Sequence, residues 1–237
     1  MFIAGLDLAW GERRPDGVCI IEAGAHRSRL RWLGLAYGDA ELLARLDEDI
    51  GPAPSLLAVD APLICPNPTG ARPVDRLSHR RFHREKCGCH PTNATRCPRP
   101  LRLAAAFSAR GYAPDWTLPD SAQALRHAVE VFPHPALVRW FGLADRIPYK
   151  RGPVAARRVA FAGLQAHLRK ALGERFGHLH LPPAAIDLLH APWHKDVEDQ
   201  TDSLVCALVG EWHWRHRGRL TEVLGDRETG FFIVPQD

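Results

Sequence analysis

Two aspartates sit inside apolar runs, where a charge is costly. Asp7 lies within FIAGLDLAW and Asp60 within SLLAVDAPL. A carboxylate buried without a cation or hydrogen bonds costs several kcal/mol, so each must be paired with something. If the first run is a strand, alternation puts Ile3, Gly5, Asp7 and Ala9 on one face, and the small Gly5 and Ala9 leave room beside the carboxylate. Neighbouring strands lie about 4.8 Å apart. Adjacent strands carrying Asp7 and Asp60 would therefore set two like charges against each other. A divalent metal resolves that repulsion, and Mg²⁺ favours a few carboxylates together with water and phosphate oxygens. The competing explanation is local: each aspartate caps a turn or pairs with an arginine.

Three further acids could join them. Glu130, in AVEVFPHP, is flanked by apolar residues; a surface strand position accounts for it equally well. Asp199 and Asp202, in KDVEDQTDSL, are three apart and share one side of a helix. Taken alone, capping by Asp199, with Asp202 favoured by the helix dipole, explains this pair better than chemistry does. Taken together, acids on separate elements could hold two metals roughly 3.5–4 Å apart, activate a water and stabilise the leaving oxygen of a phosphodiester.

The elements that would carry these acids follow from pattern. Residues 2–10, 17–24 and 29–37 read as three strands joined by tight turns, an antiparallel meander, with Asp16–Gly17 as a hairpin signal. Residues 39–50 place Leu42, Leu43 and Leu46 at helical spacing, with Asp39 as the expected N-cap. Residues 55–63 read as a buried parallel strand. Residues 66–120 are irregular and rich in Pro, Arg, Cys and His, with one helical stretch over 101–110. This segment has too few apolar residues for its own core, so it is expected to be an insertion or lid within a single domain spanning 1–237. A short helix is expected over 121–128, and a strand over 128–137 that breaks at Pro133. Helices are expected over 153–172, 183–190 and 196–216, and a closing edge strand over 230–235. A meander joined through a helix to a parallel strand is what a ribonuclease H-like α/β core requires, with a mixed sheet flanked by helices. Other mixed α/β folds share parts of that order.

Composition narrows the partners. Among 237 residues no run approaches the roughly 18 apolar residues of a membrane helix. The N-terminus turns acidic too soon for a signal peptide, so a cytoplasmic location and no membrane partner are expected. In a reducing cytosol the six cysteines are thiols or metal ligands rather than disulfides. Net charge is +4, yet residues 72–102 carry +7 and the remainder −3. This block suggests an anionic partner such as nucleic acid, with Arg72 and Arg76 as candidate substrate contacts; a solvated basic loop is the plain alternative. His79, His83, Cys87, Cys89, His90 and Cys97 crowd the same segment. Thiolate and imidazole suit a structural Zn²⁺ at Cys87, Cys89, His90 and Cys97, but Cys-Gly-Cys-His is not a standard finger spacing and no second knuckle follows.

GLDLAWG, VDAPL, EVFPHPAL, the Tyr149–Lys150 pair, and EDQTDSLVCALVGEW followed by GDRETGFFIVP resemble the predicted nucleases of ribonuclease H fold known as domain of unknown function 429. The resemblance runs over nearly the whole chain. It implies metal-dependent phosphodiester cleavage with Mg²⁺ or Mn²⁺. Asp7, Asp60 and Asp202 would be metal ligands, Glu130 or Asp199 the fourth, and Lys150 a phosphate or substrate contact. Two rivals are weighed against it. An actin-like phosphotransferase would need Gly-rich hairpins with Ser or Thr after the first strand, and Leu-Ala-Trp-Gly-Glu-Arg-Arg supplies neither. A non-catalytic nucleic-acid or protein-binding module on the same fold is compatible with the modest net charge.

Overall fold

The computed structural model describes residues 1–119 and 125–236. In chain order the elements are β1 (Phe2–Asp7), β2 (Asp16–Ala23), β3 (Ser28–Ala36), α1 (Asp39–Asp49), β4 (Ser55–Val59), α2 (Pro73–Phe82), α3 (Pro98–Ala109), β5 (Arg126–Glu130), α4 (Pro133–Phe141), α5 (Val154–Glu174), β6 (Leu179–His180), α6 (Pro183–Leu188), α7 (Lys195–Arg215), β7 (Thr221–Asp226) and β8 (Gly230–Pro235). The first six strands form one mixed sheet in the order β5-β4-β1-β2-β3-β6. β2 is antiparallel to β1 and β3, while β4 runs parallel to both β1 and β5. This is a mixed α/β fold with helices on both faces of the sheet.

Alternation along the central strands divides the core in two. Ile3, Cys19, Ile21, Leu56, Ala58 and Val129 face α4, α5 and α7. Ala4, Leu6, Val18, Ile20, Leu57 and Val59 face α1 and α3, where Leu42, Leu46, Leu103 and Phe107 cover them. All five residues of β4 are buried, as expected for a strand covered on both faces.

Helix α7 lies unusually close to the sheet, and two glycines make that approach possible. A Cβ on Gly5 would stand 2.2 Å from the Ala207 nitrogen, and one on Gly17 would stand 2.1 Å from the Asp199 oxygen. Neither distance is survivable for a side chain. The N-terminal half of α7 is thereby seated on the backbones of β1 and β2, next to Asp7.

Several expectations need correction. The segment 66–120 carries a second helix, α2, besides α3. The inward residues of α2 are Val74, Asp75, Ser78 and Phe82, and two polar members hide the helical period. Residues 230–235 do not close the main sheet. They pair with β7 in a separate hairpin, touching the main sheet through a single bridge between Val131 and Ile233. The strand expected over 128–137 is β5 followed by α4, which starts at Pro133, a residue well suited to a first helical turn. Of the helix expected over 121–128, residues 121–124 lie outside the described residues, and Arg126 onward is strand. The N-cap of α1 is Gly38, and Asp39 instead receives hydrogen bonds from Arg99 and Arg102.

Candidate functional site

Register brings the acids together. Leu6 of β1 is paired with Val59 of β4, and the Asp60 amide donates to the Leu6 carbonyl at 2.8 Å. Asp7 and Asp60 therefore stand side by side at the carboxyl ends of the two central parallel-paired strands. Ile3 and Ala58 both contact Gly210 of α7, so alternation turns Asp7 and Asp60 toward that helix. Asp199 and Asp202 come from α7 itself. One carboxylate oxygen from each of Asp7, Asp199 and Asp202 lies within 4.8 Å of the others, the one such group of potential metal ligands among the described residues. Capping does not explain the helical pair. Helix α7 starts at Lys195 behind an N-cap at His194, which leaves Asp199 a full turn inside.

The electrostatics are those of an over-acidic site. Burial pushes the Asp60 carboxyl up to about 8 and that of Asp202 up to about 6; Lys150 opposes both shifts and neighbouring carboxylates reinforce them. Asp7 and Asp199 move in the same direction, again from burial first. Two lysines offset part of the repulsion. Lys195 Nζ donates to Asp199 Oδ1 at 2.5 Å and to Glu198 Oε1 at 2.8 Å. Lys150 Nζ pairs with Asp202 Oδ2 at 2.8 Å. Tyr149, fully buried, donates its hydroxyl to Asp202 Oδ1 at 2.7 Å. Burial opposes the charge on Lys150, but Asp202 and Asp7 more than compensate and hold it protonated. With Glu198 counted, five carboxylates face two ammonium groups. The all-oxygen donor set and its excess negative charge fit a hard divalent cation.

Glu130 and Arg72 belong to a neighbouring network. Glu130, at the end of β5, lines the same cavity as Asp7 and Asp60 and adds to the upward push on Asp60, but its charge is taken up by Arg72. Arg72 grips it with two bonds, at 2.7 and 2.8 Å, and the Leu63 amide adds a third at 3.3 Å. The same guanidinium bonds Asp75 and the Ile64 carbonyl. Every donor of Arg72 is thus occupied, leaving none for a substrate, and Glu130 is held by a cation of its own. Arg76 is exposed on α2 and donates to the Ala71 carbonyl. The structure does not bring Cys87, Cys89, His90 and Cys97 together as zinc ligands. Cys87 bonds the Glu85 carbonyl and Cys89 the Asp75 carbonyl. Burial pushes these two thiols up to about 12 and about 11.

A cavity of about 390 Å³ opens onto Asp7, Asp60 and Lys150. The loop at Gly88–His90 and the segment Arg146–Arg151 form its walls, with Trp10, Phe132 and Phe232 beside them. His134 lines it too. Burial, reinforced by Lys150, Arg146 and Arg151, takes its imidazole down to about 3, so it is neutral. Sequence reasoning missed Lys195, Trp10, His134, Arg146 and Arg151. Only Lys195 had a readable signal, its spacing of four from Asp199 along one helix.

A family model described as Protein of unknown function (DUF429) matches residues 5–229, and the chain belongs to that family. No curated protein and no solved structure matches the chain.

Proposed function

We propose that this member of the DUF429 family is a divalent-metal-dependent phosphodiesterase acting on nucleic acid, built on a ribonuclease H-like core. The carrying observation is the convergence of Asp7, Asp199 and Asp202 from β1 and α7, with Asp60 of β4 beside Asp7, carrying more negative charge than Lys150 and Lys195 neutralise. The sheet supports the core assignment. An antiparallel meander feeds through α1 into a strand parallel to β1, and the order β3-β2-β1-β4-β5 sets the first acid-bearing strands at its centre.

The residues of the chain divide the work. Asp7, Asp60, Asp199 and Asp202 would hold Mg²⁺ or Mn²⁺, which when bound lowers the pKa of a water and stabilises charge on a leaving oxygen. Tyr149 fixes the orientation of Asp202 through its hydroxyl. Trp193 Nε1 donates to Glu198 Oε2 at 2.7 Å, and Lys195 spans Glu198 and Asp199, so this side of the site is held rigid from outside the cavity. The Lys150 side chain is 32% exposed and lines the cavity. Its ammonium can move from Asp202 to a phosphate oxygen once another cation covers the carboxylates.

Titration of Mn²⁺ and Mg²⁺ into the parent protein and Asp7→Asn by calorimetry, followed by incubation of both with mixed DNA and RNA, tests this reading. Metal binding and cleavage by the parent, both lost in Asp7→Asn, are the expected result. Nucleic-acid binding that persists without metal and without cleavage would overturn it in favour of a binding module.

A further inference from the structure

The cavity above the acids is asymmetric in charge. Asp7 and Asp60 occupy one pole. The lining also carries Lys150, beside the acids, together with Arg146 and Arg151, whose guanidiniums make no hydrogen bond or ion pair with any described residue. That sets them apart from Arg72, Arg99 and Arg139, which are each tied to carboxylates. All three cations line the same cavity. A third side is aromatic: Trp10, on the loop that leaves β1 just beyond Asp7, is 36% exposed and lines the cavity.

Size selects among anionic ligands. A volume of about 390 Å³ falls in the small-molecule range of about 300–1,000 Å³. A base-paired duplex is too wide for it. Asp7 and Asp60, at the carboxyl ends of β1 and β4, line this cavity together with residues 88–90 and 146–151.

We infer that this cavity takes a single nucleotide unit, with its phosphate between the acid pole and the Arg146–Arg151 pair and its base against Trp10. The inference rests on the metal-dependent phosphodiesterase reading and narrows its substrate to strand ends. In cleavage at an end, a water oxygen bonds to phosphorus while the P–O bond to the neighbouring nucleotide breaks. The water proton passes to the departing oxygen, and a mononucleotide leaves. A free nucleoside monophosphate shares the recognition chemistry and is the product.

The test pairs binding with cleavage. Thymidine 5′-monophosphate and inorganic phosphate are titrated in Mn²⁺ into the parent, Arg146→Ala/Arg151→Ala and Trp10→Ala. A linear single-stranded oligonucleotide and its circularised form are then incubated with the parent. The double arginine variant should weaken the nucleotide by about tenfold or more, through lost charge-assisted hydrogen bonds. Trp10→Ala should weaken it by about tenfold through lost stacking and leave inorganic phosphate unchanged. The linear strand should shorten from one end and the circle survive. A circle that is cut overturns end selection while leaving the phosphodiesterase reading intact. Arginine-dependent nucleotide binding with neither strand cut upholds the nucleotide site and overturns the phosphodiesterase reading. Failure of the nucleotide to bind the parent overturns the inference whatever happens to the strands.

Discussion

Two groups of buried charges lie a few residues apart in this molecule, and they are built on opposite plans. Around Arg72, two carboxylates share one guanidinium and every carboxylate oxygen is satisfied. Asp75 Oδ2 alone accepts from the amides of Arg72 and Thr92 and from the Thr92 hydroxyl, at 2.9, 2.8 and 2.8 Å. Around Asp7, acids from three elements outnumber their cations, and burial drives their carboxyls upward. A fully satisfied network fixes structure, here pinning the start of α2 to the end of β5. An unsatisfied one costs stability and is retained for what it can bind.

The largest test of that contrast is Arg72→Ala. Removing one partner of a buried ion pair leaves uncompensated charge and costs about 3–5 kcal/mol. Urea unfolding should show a loss of this size, unchanged by divalent metal. A loss below about 1 kcal/mol would mean that Glu130 and Asp75 are not structural acids, and the contrast would fail.

Metal should act on the other cluster alone. Mn²⁺ at about a hundred times its dissociation constant should stabilise the parent by about 2.7 kcal/mol. Thermal unfolding should lose that increment in Asp202→Asn and keep it in Arg76→Ala. An equal increment in Asp202→Asn would remove the acid cluster from the metal reading.

Without metal, the acid cluster should give an inverted pH dependence. The Asp60 carboxyl rises from an ordinary 3.8 to about 8. A group raised in the folded state contributes stability that is fully present below its unfolded value and is lost as pH rises through its folded value. In chelator the Asp60 contribution is lost between about pH 4 and pH 8, while the depressed His134 works the other way below about pH 6.5, so the Asp60 effect is read as the difference between the parent and Asp60→Asn. Asp60→Asn should flatten that slope and gain about 1 kcal/mol at pH 8, since a neutral amide removes one repelling charge. A pH profile of Asp60→Asn parallel to that of the parent would show that Lys150 and Lys195 neutralise Asp60 completely.

How legible these two clusters were in the sequence differs for a physical reason. Asp7, Asp60 and the Asp199–Asp202 pair were readable because strand alternation and helical spacing are local, and the charge stood out against apolar neighbours. What tipped Asp199 away from capping was the true start of α7 at Lys195, a boundary that periodicity does not mark. The meander, α1, β4, α5 and α7 were legible for the same local reason. The role of Glu130 was not, because its partner Arg72 lies 58 residues away, just before a helix α2 that buries the polar Asp75 and Ser78 beside Val74 and Phe82. The β7–β8 hairpin was half seen: GFFIVP is plainly a strand, whereas TEVLGD carries too few apolar residues to announce itself. Arg146 and Arg151 left no local signal at all; only the folded wall of the cavity gives them a common direction.

The smallest effect contrasts two arginines of the same helix entry. Arg72 is wholly buried and fully bonded, whereas Arg76, one turn on, is exposed and touches only the Ala71 carbonyl. Arg76→Ala should leave stability within about 0.5 kcal/mol of the parent. Its position outside the cavity lining means that mononucleotide affinity should not change. Outside the cavity, α2 exposes Arg76 and Arg80, cations that a strand longer than one nucleotide could reach. A phosphate contact there would show as a uniform weakening of oligonucleotide binding in Arg76→Ala and a drop of about one in the slope of log affinity against log salt. Fluorescence anisotropy with a labelled single strand across a salt series measures both. An unchanged slope would assign the basic segment to solvent and confine recognition to the cavity, where Arg146 and Arg151 act on the terminal unit alone.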